Sequence, residues 1–495
     1  MGEMNVADLL RDPAQRLADK PALISSHGTL TYGELAREVD RVAAGLQSLG
    51  VAPGDRVAIA MHNVPHFAYA YFGILRAGAV AVPLNAMLTE REVYKILTDS
   101  GASVVLGAGP FGDLAAAAVD GLASVQHVIL AGEWDRLGAL GAEPQATDAG
   151  DDDIAVLAYT SGTTGEPKGA MLSHANLRAN LDQQMRVPET VTESDVVLLA
   201  LPLFHIFGLN VTLGLTLMNG ATGVIVERFE PVEVLRSIQD HRVTVLFGAP
   251  PMYTAWEETP GADQYDVSSV RLAVSGAAPL AGQTLEAFRD VFGVDIFEGY
   301  GLTETAPTLT SNRMASGPRA NSIGKPLPDV ELRLIDEHGE DVELGDTGEI
   351  VVRGPNVFKG YWKREEDTAA AFHDGWFRTG DVAVMDEEGY LYLVDRKRDL
   401  IIVSGFNVFP SEVETALLQN PKVQTAAVVG VPHPYTGEAV KAFVVLEAGK
   451  DATEAELLAD AERRVARFKC PRSIEIVEEL PQMPTGKVLR RALRT

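Results

Sequence analysis

Val57-Ala58-Ile59-Ala60-Met61, a helical run from His66 to Ala77, and Ala79-Val80-Ala81-Val82 decide the fold class. The first and last segments are short apolar runs, and the middle one repeats its apolar positions at helical spacing. Strand, helix and strand in that order imply a parallel sheet with helices on both faces. Upstream, Thr29-Leu30-Thr31-Tyr32 reads as a short strand, and Gly33 to Leu49 has helical apolar spacing. Downstream, Thr222–Val226, Pro231–His241 and Val243–Phe247 return to the same rhythm. Neither short repeats nor a long low-complexity linker interrupts it. The chain is read as α/β.

Between these segments, Val196 to Val226 contains no Asp, Glu, Lys or Arg. A bilayer span needs ~20 apolar residues, so the length alone would suffice. Pro202, His205, Asn210, Asn219 and several glycines break the run, which reads better as strand, loop, buried helix and strand. The other apolar run, Tyr69 to Leu84, carries Arg76 and is too short. No integral membrane span is expected.

The chain has 495 residues, 69 of them acidic and 42 basic, for a net charge of −27. With 46% hydrophobic and 22% charged residues it has the composition of a folded, multidomain globular protein. The acidic excess disfavours nucleic acid and anionic membranes as main partners, because both demand basic surface. It leaves room for a local basic pocket that takes a small anion. The single cysteine, Cys470, excludes an intramolecular disulfide and a cysteine-based metal cluster, and fits a reducing compartment. Met1 to Asp8 lacks a basic segment followed by an apolar one, so no signal peptide and a cytoplasmic location are expected.

Near residue 395 the pattern changes. Gly389–Val394 alternates as a strand, and the charged run Asp395-Arg396-Lys397-Arg398-Asp399 precedes Leu400-Ile401-Ile402-Val403. Beyond it, Pro410–Gln419 and Thr453–Phe468 read as helices, and Thr425–Val431 and Val440–Leu446 as strands. The charged run is a candidate boundary between a large domain, 1–394, and a small α+β domain, 395–495. A solvated turn between two strands is the plainer reading of the same residues.

The densest local signal is Tyr159-Thr160-Ser161-Gly162-Thr163-Thr164-Gly165-Glu166-Pro167-Lys168-Gly169, after the strand-like Ile154–Ala158. Glycines let backbone N–H groups close around phosphate oxygens. The Thr and Ser hydroxyls add donors, and Lys168 adds positive charge. The spacing is not that of a Walker A loop. On composition alone, phosphate binding and a flexible Gly/Thr turn are equally open.

Tyr159–Gly169 resembles the phosphate-binding signature of the adenylate-forming superfamily, which contains acyl-CoA synthetases, peptide-synthetase adenylation domains and luciferases. Further blocks resemble that family's in its own order: Leu203-Phe204-His205, Tyr300-Gly301-Leu302-Thr303-Glu304, Arg378-Thr379-Gly380-Asp381, Asp395-Arg396 and Pro484-Thr485-Gly486-Lys487. The resemblance covers nearly the whole chain. It implies a large domain of parallel-rich sheets and helices with a β-barrel-like subdomain, and a small mobile C-terminal domain. It also implies two reactions: a carboxylate attacks the α-phosphorus of ATP to give an acyl adenylate and pyrophosphate, and a thiol then displaces AMP.

On this resemblance each block acquires a role. Thr160, Ser161, Gly162, Thr163, Thr164, Gly165 and Lys168 hold phosphate. Glu304 and the Thr164 hydroxyl are ligands of Mg²⁺, an ion that keeps most of its waters beside one carboxylate and substrate phosphates. Gly276, Ala277, Ala278, Glu298, Gly299, Tyr300, Gly301 and Thr303 enclose the adenine, on which Tyr300 can stack. Asp381 accepts hydrogen bonds from the ribose hydroxyls, Arg396 reaches the same sugar, and Arg398 stands near the phosphates. Lys487 is implied as the catalytic lysine that bridges the carboxylate and α-phosphate oxygens. Because Lys487 is so far along the chain, the small domain must close over the site, with Asp395 as hinge. Ser404, Gly405 and Phe406 match a loop lining the CoA pantetheine channel after that domain rotates. Arg378, Arg398 and Ser404 depart from the residues common at their positions.

His205 alone would read as a satisfied core histidine. On the resemblance it lies beside the carboxylate pocket and places substrate. Phe207, Val211, Ala306, Pro307 and Thr308, with Ala277 and Gly301, line that pocket. Phe207-Gly208-Leu209-Asn210-Val211 offers no charge for an ammonium, so amino acids are disfavoured. The expected activity is ATP-dependent ligation of an apolar acid to CoA, a medium- or long-chain fatty acid ahead of a 4-coumarate-like acid. An acyl-AMP ligase serving a carrier protein is the alternative, although Asp395 to Pro410 carries no insertion typical of that group. An oxygenase and an inactive binding protein are less favoured, since Lys487, Glu304 and the phosphate loop are all retained. The expected partners are the acid, ATP and CoA, with a homodimer permitted.

Overall fold

In a computed structural model of the chain, the strand–helix–strand at its start is Arg56–Ala60, Pro65–Arg76 and Val80–Pro83. Pro65 suits the first helical turn, whose N–H has no partner in the helix. Gly73 lets this helix approach Tyr32–Ser48 closely, since a Cβ there would lie 2.6 Å from the Val42 Cβ. Thr31 and Glu34 form a capping box that starts Tyr32–Ser48.

The structure describes residues 4–134, 137–138, 143–147, 149–161, 167–314, 317–396, 401–403, 406–433, 437–465, 469–482 and 488–493. For 161, 395, 396, 402, 406, 407, 437 and 491 it describes the backbone alone.

Two compact units result. The first comprises Met1–Ala320, Gly324–Glu331 and Arg353–Phe377; the second comprises Asn321–Ile323, Leu332–Val352 and Arg378–Thr495. The expected boundary at 394/395 falls inside the second unit, within the strand Leu391–Arg396.

The first unit is built on two large sheets. One has six strands in the order His127–Leu130, Val104–Gly107, Arg56–Ala60, Val80–Pro83, Ile154–Ser161 and Pro167–Ser173. Its pairs are parallel except the last, an antiparallel hairpin. The other has nine strands, with the parallel run Ile296–Gly301, Leu272–Ser275, Val245–Gly248, Val196–Leu199, Thr222–Ile225 and Pro21–Ser25 at its centre. Strands buried on both faces read as near-continuous apolar runs, and these do. The core of the nine-stranded sheet gathers Tyr253, Trp256 and Phe288 around Leu198, Leu246 and Ile296.

The uncharged segment 196–226 takes the expected form. It contains the strand Val196–Leu199, a buried π-helix Phe207–Gly214 continuing as Leu215–Met218, and the strand Thr222–Ile225. No helix among the described residues is long and apolar enough to cross a membrane.

The second unit holds most of a curled half-barrel sheet that includes Thr347–Arg353, Trp376–Met385 and Leu391–Arg396. It also holds a five-stranded sheet formed by Ile401–Val403, Phe406–Val408, Val423–His433, Gly437–Leu446 and Ser473–Ile476. Helices Pro410–Leu418 and Glu454–Ala461 close the core of that sheet around Val413, Leu417, Val428 and Leu457. This is the small α+β unit expected from the sequence. The second helix is shorter than the expected Thr453–Phe468. After Ala461 the N–H groups of Arg463 and Arg464 bond back three residues, to Asp460 and Ala461, which tightens the last turn and ends the helix.

Candidate active site

The two ends of the expected phosphate segment lie on paired strands. Ile154–Ser161 and Pro167–Ser173 pair antiparallel, with Thr160 opposite Lys168 and Tyr159 opposite Gly169. Residues expected in a loop thus belong to two strands, because the period-two ladder runs farther than the apolar stretch 154–158 suggested. Gly162, Thr163, Thr164 and Gly165 lie outside the described residues. Lys168 is anchored: its Nζ lies 2.6 Å from Asp367 Oδ1 and 5.5 Å from the centre of the Tyr361 ring.

The segment 358–362 continues the hairpin's ladder. The Lys359 N–H donates to the Met171 carbonyl at 2.9 Å, Met171 returns a bond to Gly360 at 2.9 Å, and the Trp362 N–H donates to Gly169 at 2.8 Å. The Phe358 N–H donates to the Glu304 carbonyl at 2.8 Å. The Tyr361 hydroxyl donates to Glu304 Oε1 at 2.8 Å. Burial and the nearby Glu304 and Asp367 charges push the Tyr361 phenol well above its ordinary pKa, so it keeps its proton.

Glu304 sits in a one-turn 3₁₀ helix, Thr303–Thr305, directly after the strand Ile296–Gly301. Its side chain is largely buried. The turn that follows, through Ala306, Pro307 and Thr308, is held by amide side chains from separate elements. Asn210 Nδ2 donates to the Ala306 carbonyl at 2.8 Å, and Asn180 Nδ2 to the Thr308 carbonyl at 2.8 Å. Asn356 Nδ2 donates to the Thr305 carbonyl at 2.8 Å and the Thr308 carbonyl at 3.2 Å. Gln183 Nε2 completes the set by donating to Asn356 Oδ1 at 3.1 Å. Each of these amides is buried, where a polar group needs a partner.

The segments expected around adenine are contiguous in space. Leu272–Ser275 and Ile296–Gly301 are parallel neighbours with Ser275 opposite Glu298. Burial pushes the Glu298 carboxyl up to about 8, so it is mostly neutral at pH 7, and it accepts the Leu280 N–H at 3.2 Å. That bond ties the turn after Gly276 to the strand. Gly276 brings the expected adenine and acyl regions together: a Cβ there would lie 3.0 Å from the Phe207 ring and 3.6 Å from the Gly299 carbonyl. Gly299, Tyr300 and Gly301 pair with Ser311, Thr310 and Thr308 across the antiparallel edge.

His205 stands just before the π-helix that carries Phe207 and Val211. Its Nδ1 accepts the Phe207 N–H at 3.3 Å, and burial lowers its pKa to about 4. It is therefore a neutral imidazole at working pH. Val211, Ala306 and Thr308 are buried. π-helical segments such as Phe207–Gly214 are rare, and π-bulges occur frequently at functional sites. Here Thr212 Oγ bonds the Phe207 carbonyl at 3.2 Å.

In the second unit, Asp381 and Arg396 are directly opposite each other on the antiparallel strands Trp376–Met385 and Leu391–Arg396. The register thus pairs the two residues expected at the ribose. Asp381 is buried and its N–H donates to Thr379 Oγ at 3.1 Å. Asp395 lies opposite Val382. Arg378 pairs with Glu349 through a guanidinium–carboxylate contact. Ile401–Val403 and Phe406–Val408 form a hairpin with Val403 opposite Phe406. Its tip, Ser404 and Gly405, lies outside the described residues, as do Arg398 and Lys487.

Residues 10–362 match the AMP-binding enzyme family, and residues 412–487 match the AMP-binding enzyme C-terminal domain. The chain belongs to the AMP-binding enzyme family. The resemblance read from the sequence blocks is thereby confirmed. Among its relatives is a feruloyl-CoA synthase of Amycolatopsis sp, 42% identical over 487 residues and covering 97% of each chain. A long-chain-fatty-acid–CoA ligase of Bacillus subtilis is 36% identical over 525 residues, covering 98% of this chain and 93% of its own. The solved anthranilate CoA ligase AuaEII, in complex with anthranoyl-AMP, superposes with a TM-score of 0.92 at 31% identity, over 100% of this chain and 97% of that one.

Within this family the oxygen donors present suit magnesium. A largely buried carboxylate, Glu304, is joined through the segment 358–362 to the hairpin strands Ile154–Ser161 and Pro167–Ser173, while Thr164 lies outside the described residues. Among the described residues no group of three or more His, Cys, Asp or Glu could form an all-protein metal cage. A magnesium ion held by one carboxylate, a hydroxyl, waters and substrate phosphates needs no such cage. Residues missed in the sequence include Tyr361, Asp367 and the amides Asn180, Asn210 and Asn356. Three of these are amides, and nothing in a single sequence separates a buried amide from a solvated one.

Proposed function

We propose that this protein is an ATP-dependent acid–thiol ligase that joins an apolar carboxylic acid to CoA through an acyl adenylate. The observation that carries this reading is the convergence in the first unit of Glu304, the hairpin 154–173 and the segment 358–362 that joins them, beside the uncharged helix carrying Phe207 and Val211. In the first step a carboxylate oxygen bonds to the α-phosphorus of ATP, the α–β phosphoanhydride breaks, and pyrophosphate leaves. In the second, the CoA sulfur bonds to the acyl carbon, the carbon–oxygen bond to phosphate breaks, and AMP leaves with the thiol proton lost to solvent.

The residue roles are those that the family resemblance implies. The hairpin, with Lys168, holds the phosphates; Gly276 to Ala278 and Glu298 to Gly301, with Thr303, enclose adenine. Asp381 and Arg396 hold the ribose, and Arg398 supports the phosphates. Glu304 and Thr164 hold magnesium, which when bound offsets phosphate charge. Lys487 supplies positive charge to the adenylation transition state. The lid, 395–495, turns at Asp395 to exchange Lys487 for the Ser404-Gly405-Phe406 tip, which takes the pantetheine. His205, neutral and partly buried, shapes the carboxylate end of the pocket and holds no mobile proton.

The acid is apolar and without an ammonium, because Phe207, Val211, Ala306, Pro307 and Thr308 provide no counter-charge. The relative at 42% identity is a feruloyl-CoA synthase and the fatty-acid ligase stands at 36%. These values support an arylpropenoic acid first and a medium- or long-chain fatty acid second, reversing the order expected from sequence. The test is a panel of acids with ATP, Mg²⁺ and CoA, read by AMP release and thioester formation. Thioester from aryl or fatty acids supports the ligase, and the ratio of kcat/KM values ranks the two. Adenylate without thioester would transfer the reading to a ligase that serves a carrier protein.

A further inference from the structure

The chain segment 358–362 joins two parts of the site that lie far apart in sequence. Its main chain extends the hairpin ladder through Met171 and Gly169, and its first residue binds the Glu304 carbonyl. Its side chains reach the same two places. The Tyr361 hydroxyl donates to Glu304 Oε1 at 2.8 Å, while its ring lies beneath the Lys168 ammonium at 5.5 Å. Lys168 is held in turn by Asp367 at 2.6 Å. The segment is itself fixed. The Tyr361 N–H donates to Thr368 Oγ at 2.9 Å, and Gly360 has φ +128° with Thr368 so close that a Cβ would lie 2.5 Å from its Cγ2. The Tyr361 ring packs edge-on against Phe358, 4.9 Å between centres.

From this geometry we infer that Tyr361 is a positioning residue for Glu304, fixing the carboxylate that binds magnesium and tying it to the hairpin that binds the nucleotide phosphates. The inference rests on Glu304 being a magnesium ligand. A carboxylate has several rotamers of similar energy, and a hydrogen bond to one oxygen selects among them. Such outer partners of metal-ligating carboxylates typically change metal affinity 10- to 100-fold when removed. Lys168 lies over the same ring, so the arrival of phosphate at the hairpin and the setting of the metal ligand share one side chain.

The test uses the full chain, a non-hydrolysable ATP analogue and Mn²⁺ as the probe ion, with bound Mn²⁺ read by electron paramagnetic resonance. Tyr361→Phe removes only the hydroxyl. The expected result is a loss of Mn²⁺ affinity of about tenfold, with metal-free affinity for the analogue unchanged within about twofold. Glu304→Gln is the reference and should lose more. In difference infrared spectra, the carboxylate band assigned by its loss in Glu304→Gln should shift in Tyr361→Phe. If Glu304→Gln loses Mn²⁺ while Tyr361→Phe binds it as the native chain does, with an unmoved band, the positioning role is wrong and the magnesium reading stands. If Glu304→Gln binds Mn²⁺ unchanged, the magnesium reading itself falls.

Discussion

Asn356→Ala strikes the amide clamp at its centre. Asn356 is completely buried and donates to the carbonyls of Thr305 and Thr308, while its Oδ1 accepts from Gln183. Truncation removes all of these bonds, but the outcome differs between partners. The Thr308 carbonyl keeps its bond from Asn180. The Thr305 carbonyl and the Gln183 amide each lose a buried partner. An orphaned buried polar group costs about 1–3 kcal/mol, so the expected destabilisation is about 2–5 kcal/mol. A melting shift of ~2–4 °C per kcal/mol for a domain of 150–250 residues falls to about 1–2 °C in a larger unit. The first thermal transition should therefore drop by roughly 3–8 °C in scanning calorimetry.

Asn180→Ala supplies the sharper version. Asn180 and Asn356 share the Thr308 carbonyl, so either single variant leaves it one side-chain donor and the double variant removes both. The double variant should cost about 1–2 kcal/mol more than the sum of the singles. Because the clamped turn carries Ala306, Pro307 and Thr308, KM for the acid should rise with the loss of order, and KM for ATP should rise less. A loss below about 1 kcal/mol for Asn356→Ala, or strict additivity in the double variant, would refute the reasoning.

Other outcomes can be stated briefly. Lys487→Ala should lower adenylation about 10²–10³-fold, the size expected for one lost electrostatic contact to a transition state, and leave thioester formation from preformed adenylate nearly unchanged. Equal loss in both half-reactions, measured by pyrophosphate release and by AMP release, would count against alternation of the lid. The buried His174 has its pKa lowered to about 4 by desolvation, and its Nδ1 accepts the Val6 N–H at 3.1 Å. The unfolded chain therefore binds a proton as pH falls through 6.5 while the folded chain does not until about 4, so stability is lost over that window, by about 3 kcal/mol for this group alone. His174→Gln should narrow the difference in melting temperature between pH 7 and pH 4.5, and an undiminished difference would place the acid sensitivity elsewhere.

The local parts of this fold were legible and the joining parts were not. Strands such as Arg56–Ala60 and Thr222–Ile225 are short, apolar and β-branched, and the charge-free run at 196–226 separates at its own proline, asparagines and glycines. Those signals act over a few residues. The pairing of Pro21–Ser25 with Thr222–Ile225 depends on contacts about 200 residues apart, and no periodicity announces it. The phosphate segment shows both sides of this. Its glycines and hydroxyls identify its chemistry, but Tyr159 and Lys168 belong to strands because Ile154–Ser161 and Pro167–Ser173 pair with each other beyond the apolar stretch.

The clamp was illegible for a different reason. Asn176, Asn180 and Gln183 recur at helical spacing on His174–Met185, a pattern that normally marks the solvent face. Here that face is buried, with Asn176 donating to the carbonyls of Pro355 and Val357 at 2.8 and 2.9 Å. Amides can line a buried surface when the opposing chain presents main-chain carbonyls that no strand satisfies. The turn after Glu304 and the segment 354–358 are two such chains. Regular structure would satisfy those carbonyls but would place Glu304 and Thr308 on one face, four residues apart along a strand or one above the other on a helix. The amides therefore do for irregular backbone what a neighbouring strand does for regular backbone.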